Sequence, residues 1–145
     1  MILQPGVGIY IEKYKMQVLL GEEREIVKNR FDNVGYDVTS FSRVGGIPDE
    51  DCISVLGLFL YYGKDSNILK NIQYSCEDPY FIDSIDATNF TFMQLFEYIK
   101  SIDNDVLLDV DQFESKKIGI GAWIGDLSEI EFRKPDSIMI FSKSQ

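Results

Sequence analysis

The stretch Lys116–Leu127, KKIGIGAWIGDL, carries three glycines, at Gly119, Gly121 and Gly125. Such spacing suits two different structures. A phosphate-binding loop places its glycines between a strand and a helix N-terminus, where backbone N–H groups face the anion. A strand uses glycine at a bulge, a twist or a close approach of two backbones. The residues that follow decide the matter: "SEIEFRK" and "SIMIFSK" read as further short strands, not as the start of a helix. The three glycines are therefore read as lying inside a strand.

A second stretch has the same form. "LGLFLYYG" (56–63) aligns with "IGIGAWIG" (118–125), so that Gly57 matches Gly119, Gly63 matches Gly125 and Tyr61 matches Trp123. An acidic residue follows each, Asp65 after the first and Asp126 after the second. Each stretch also lies downstream of a helical segment. In "EEREIVKNRF" three glutamates favour a helix N-terminus through the macrodipole, and Ile26, Val27 and Phe31 supply an apolar side over about 22–32. In "NFTFMQLFEYIK", Phe92, Leu95, Phe96 and Ile99 recur at i, i+3, i+4 and i+7, with Asn89 or Thr91 as the N-cap.

Strand signals surround both helices. "GVGIYIEKYK" alternates Val7, Ile9 and Ile11; "ISVLGLFLYYG" reads as one strongly apolar strand; "KDSN" reads as a turn into the strand "ILKNIQYS". The chain thus reads as one domain, 1–145, in two strand–helix–strands halves at about 6–75 and 80–142, a weak internal repeat. The predicted fold class is α+β: a mainly antiparallel sheet, able to run on across both halves, with the two helices on one face. The other face is then partly open, and its aromatics are a candidate binding surface. Adjacent Tyr61 and Tyr62 point to opposite faces, so one is core and the other is free for a partner. Tyr62 is given the partner-facing place.

Composition narrows the function. The 145 residues contain no histidine, which removes the commonest general base and metal ligand. The two cysteines, Cys52 and Cys76, have no metal-type spacing. Three carboxylates, Asp49, Glu50 and Asp51, precede Cys52 and would raise its pKa, the reverse of what a nucleophilic thiol needs. These features predict no enzymatic activity, no cofactor and no metal. The opening "MILQPGVGIYIEKYK" lacks the basic start of a signal peptide, and no apolar run has the roughly 20 residues of a membrane span. A cytoplasmic protein is expected.

Charge is unevenly spread. The chain carries net −10, and residues 71–115, with ten acidic side chains and one basic, Lys100, carry net −9 of it. Such a surface repels nucleic acid and anionic membrane and attracts a basic protein. "DNDVLLDVD" brings Asp103, Asp105, Asp109 and Asp111 together, without the central glycine of a calcium loop. A solvated surface is the plain reading of this segment, and a docking strip for cationic side chains the functional one. The "GIPDEDC" segment, with Asp49, Glu50 and Asp51, reads as the acidic tip of a loop and a second contact site.

The layout "GVGIYI…VLLGEEREIVKNRF…LGLFLYYGKD…ILKNIQYS", followed by "FTFMQLFEYIK" and "KIGIGAWIGDLSEIEF", resembles small bacterial immunity proteins of polymorphic toxin systems, including those of contact-dependent inhibition. The resemblance implies a cytoplasmic protein that binds one cognate toxin domain and blocks its active site. Many such toxins are nucleases with basic surfaces, which fits the acidic excess. A structural or regulatory interaction module is the alternative expectation.

Overall fold

The computed structural model describes residues 1–43, 45–63 and 67–144. The expected turn at "KDSN" includes Lys64, Asp65 and Ser66 and lies outside them. The chain opens with β1 (Ile2–Gln4), β2 (Gly8–Ile11) and β3 (Met16–Leu19), then helix α1 (Arg24–Asn33). Four strands follow: β4 (Thr39–Phe41), β5 (Glu50–Ile53), β6 (Leu58–Tyr61) and β7 (Asn71–Tyr74). The second half repeats this plan with β8 (Phe81–Ile82), β9 (Ile85–Asp86), helix α2 (Phe92–Ile102), β10 (Gln112–Ser115), β11 (Ile120–Trp123) and β12 (Ser137–Phe141).

The fold is α+β, with two mainly antiparallel sheets in place of the single sheet expected. Five strands order as β3-β2-β1-β8-β9 and seven as β10-β11-β12-β7-β6-β5-β4. The short strands that precede each helix pair with one another, β1 parallel to β8, and so form a sheet of their own. Its outer edge at β3 is closed by an ion pair. Glu22 accepts from the Leu19 N–H at 2.7 Å, Arg30 donates to the Gln17 carbonyl at 2.9 Å, and the two side chains bond each other. The pair occupies backbone groups that an added strand would otherwise use.

The seven-stranded sheet carries the repeat. In the β5–β6 hairpin Ile53 faces Leu58 and Glu50 faces Tyr61; in the β10–β11 hairpin Ser115 faces Ile120 and Gln112 faces Trp123. Each residue of the first hairpin thus has a counterpart 62 positions on (58 to 120, 61 to 123). The two three-stranded units meet at β7 and β12, where Ile138 faces Tyr74 and Ile140 faces Ile72, symmetrically about the pair Gln73–Met139. A pseudo-twofold axis passes through that pair.

Both hairpins close on a left-handed glycine, Gly57 at φ 64° and Gly119 at φ 87°. These two glycines therefore end the hairpin loops and do not lie inside strands, contrary to the sequence reading. "ISVLGLFLYYG" is accordingly broken at 54–57 by one tight helical turn. Gly119 has a second role. A Cβ there would lie 2.4 Å from the Phe141 carbonyl oxygen and 2.5 Å from Gly6 Cα, where the N-terminal segment crosses the sheet. The Gly119 carbonyl accepts N–H groups from both Gly6 and Phe141, each at 3.1 Å. A third hairpin, β2–β3, has the same construction with Lys15 at φ 50° in the glycine position.

The inward face of the seven-stranded sheet presents Ile53, Leu58, Leu60, Ile72, Tyr74, Phe113, Ile120, Ile138 and Ile140, all buried. Helix α2 starts on Thr91, whose hydroxyl accepts from the Gln94 N–H while the Gln94 side chain accepts from the Thr91 N–H. It buries the four residues expected, Phe92, Leu95, Phe96 and Ile99. Phe92 and Phe96 both pack against Phe113 of β10, with ring centroids 5.4 Å apart. Each such burial stabilises by about 1.5–3 kcal/mol. Helix α1 buries Val27 and Phe31, while Ile26 stays exposed.

Candidate protein-binding surface

The acidic residues predicted as contacts divide into two groups. Asp51, 1% exposed, accepts from Arg24 Nε at 3.1 Å, from Arg24 Nη2 at 2.6 Å and from the Ser40 hydroxyl at 2.6 Å. Glu50 meets Arg43 Nε at 2.8 Å, and Asp49 is buried beside it. The expected acidic loop tip is therefore the start of β5: Asp51 is turned inward beside Leu60 and paired with Arg24, while Glu50 lies on the open face beside Tyr61, covered by Arg43. Nothing local in the sequence signals this, because Arg24 lies on α1, far along the chain.

Tyr62 is fully buried, which removes it from the contact surface. Its ring lies under the Arg24 guanidinium, 5.2 Å from centroid to Cζ, and burial pushes its hydroxyl pKa up. It is Tyr61 that sits on the open face of the sheet, with Phe59, Met139 and Trp123. Phe41 and Phe59 pack edge to face there at 6.3 Å.

Asp103 is also internal, at 5% exposed. It follows the last turn of α2 and accepts from the Ser115 hydroxyl at 2.7 Å and from the Asp105 N–H at 3.1 Å. The Ser115 bond holds its pKa below the usual carboxylate range, against the opposing effect of desolvation. Asp105 and Asp109 are exposed and Asp111 half-exposed.

Between Asp103 and Asp111 the chain runs back along the outer edge of β10. It is fastened at one end by Asp103–Ser115. Val106 is buried in the middle. At the other end a tight turn closes, with the Asp109 N–H donating to Gln112 O at 2.8 Å and the Gln112 N–H to Asp109 O at 3.0 Å. Leu107 and Val110 stand out from this ridge, 77% and 70% exposed. Val110 holds φ 54°, a conformation that a β-branched residue adopts at a cost of order 1 kcal/mol or more.

Trp123 flanks the ridge. Its indole Nε1–H donates to Asp111 Oδ2 at 3.2 Å, and the Ile124 N–H donates to the Asp111 carbonyl at 2.9 Å. The ring folds back over Gly125, where a Cβ would lie 2.9 Å from indole Cη2. Held on both sides, Trp123 is still 43% exposed.

Four ion pairs occur among the described residues: Arg24–Asp51, Arg30–Glu22, Arg43–Glu50 and Arg133–Asp126. None uses a carboxylate from 71–115; Lys116 and Lys117 line one pocket with Asp103, Asp105 and Glu114. Among the described residues no cluster of His, Cys, Asp or Glu is arranged to hold a metal ion, and no helix is long and apolar enough to cross a membrane. Burial raises the Cys76 thiol pKa to about 12 and also raises that of Cys52, with Glu50 adding to the latter. Both thiols are poor nucleophiles at neutral pH. Comparison with family models, with curated proteins and with solved structures finds no match.

Proposed function

We propose that this chain is an immunity protein, which binds a basic toxin domain, of nuclease type, and neutralises it by covering the active site. The observation that carries this reading is the run of carboxylates Asp105 and Asp109, exposed, and Asp111, half-exposed, none of which enters an ion pair among the described residues. Self-repulsion of this kind opposes folding slightly, and a partner rich in Lys and Arg relieves it. Exposed Leu107 and Val110 beside these carboxylates add apolar contact area to a charged rim, the usual composition of a protein interface. The resemblance to immunity proteins points the same way. The reading assigns no catalysis and no cofactor to the chain.

The test is to look for a toxin domain encoded by an adjacent gene and to co-produce it with this chain. The reading expects restored growth and a stoichiometric complex. Growth arrest despite full production of this chain, with no complex formed, contradicts it.

A further inference from the structure

We propose that the turn Asp109–Gln112 and the indole of Trp123 form one docking element, and that its occupant is an arginine set beside an apolar patch on a cationic protein. This rests on the immunity reading above and names the surface that reading uses.

Three features converge on this spot. The first is exposure of large apolar groups on two segments that Asp111 joins: Leu107 and Val110 on the ridge and Trp123 beside Asp111. The second is rigidity. Asp111 ties the ridge to Trp123 through both its side chain and its carbonyl, and Gly125 lets the ring lie against the backbone. An aromatic fixed before binding loses little entropy when a partner covers it. The third is Val110. Glycine takes a left-handed turn position at no steric cost, yet a valine stands there with its side chain in solvent. The turn gains nothing from that side chain, whereas a partner pocket would.

Charge selects the occupant. Asp105, Asp109 and Asp111 lie on the same ridge, and the whole chain carries net −10. A second copy, a nucleic acid or an anionic membrane is repelled. A guanidinium stacks on an indole face and pairs with a carboxylate through its planar fork, which a compact ammonium does less well. An arginine beside Trp123 and Asp111 satisfies both contacts.

Trp123 is the only tryptophan, so its emission reports on the site directly. The probe is a short peptide of arginine and leucine, with control peptides in which glutamine or glutamate replaces arginine. The arginine peptide is expected to give a saturable change in Trp123 emission. Val110→Gly and Asp111→Asn should each weaken that binding about tenfold, the range of an interface anchor, while Val110→Gly melts no lower than wild type. Three results overturn the proposal: no saturable change with the arginine peptide, an equal response to the glutamate peptide, or unchanged affinity in Val110→Gly. A concentration-dependent change without peptide also overturns it, because the occupant is then a second copy. The two readings fail separately. If Val110→Gly and Asp111→Asn neutralise the cognate toxin as well as wild type does, this surface is wrong and the immunity reading stands. If the peptide binds at Trp123 and no toxin is neutralised, the surface stands and the immunity reading falls.

Discussion

Ser115 donates its hydroxyl hydrogen to Asp103 Oδ2 across 2.7 Å, and that bond ties the end of α2 to the end of β10. The ridge that follows Asp103 therefore starts from a fixed point. Asp103→Ala leaves the Ser115 hydroxyl, in a residue 1% exposed, without its acceptor and frees the Asp105 N–H. A lower melting temperature is expected, with Asp103→Asn milder because an amide oxygen still accepts from Ser115. Thermal melts check this. A wild-type melt for Asp103→Ala would mean that the bond contributes nothing.

Arg24 and Asp51 make the stronger internal contact. Removing Arg24 leaves a carboxylate buried with one hydroxyl partner, and also uncovers the Tyr62 ring. Arg24→Ala is expected to lose about 3 kcal/mol of stability, the usual range for breaking a buried pair. Urea denaturation measures it, and a loss below about 1 kcal/mol would be the value of a surface pair.

Stability should form a plateau in pH with a fall on each side. Glu22, bonded by Arg30, and Asp103, bonded by Ser115, have folded-state pKa values below their ordinary 4.5 and 3.8. Their contribution is present above those ordinary values and is lost as pH falls through the lowered ones. Tyr74 and Cys76 go the other way, each raised by burial to about 12 from 10.0 and 9.0. Their contribution is present below the ordinary values and is lost as pH climbs toward 12. Melting temperature is expected to be flat from about pH 5 to 9. Glu22→Gln should flatten the acid limb, and an unchanged acid limb would remove Glu22 from the account.

The two hairpin glycines should differ. Gly119→Ala combines positive φ with a clash against the backbone of Phe141 and Gly6. Gly57→Ala meets the Ser75 hydroxyl, a side-chain atom able to rotate away. Gly119→Ala is expected to destabilise by about 2–4 kcal/mol and Gly57→Ala by about 1 kcal/mol. Equal losses would show that the crossing of Gly6 over Gly119 carries no weight.

Periodicity made the helices legible: Phe92, Leu95, Phe96 and Ile99 face the core as their spacing requires, and the alignment of Gly57 with Gly119 matches the ladder register. The hairpin loops were less legible. Lys15 replaces glycine in β2–β3, and Gly57 sits inside an apolar run that resembles a continuous strand. The second sheet is not visible in the sequence because β1, β8 and β9 are two or three residues long and only the pairing of β1 with β8, across distant parts of the chain, joins them into one sheet. Among the acidic residues, sequence marks charge but not burial. Asp51 and Asp105 look alike until Arg24 is brought to one and solvent to the other. Tyr62 was misplaced for a related reason: alternation separates it from Tyr61 without saying which faces inward.

The most direct test of the central claim is the rate of association with the cognate toxin domain that the proposal requires, measured by stopped flow at low and high salt. The comparison is wild type against Asp105→Asn/Asp109→Asn, which leaves the buried Asp103 in place. If these carboxylates steer a basic partner, the variant associates about tenfold or more slowly at low salt, and the two rates converge at high salt. Equal rates at low salt would contradict the account and place the toxin on another surface.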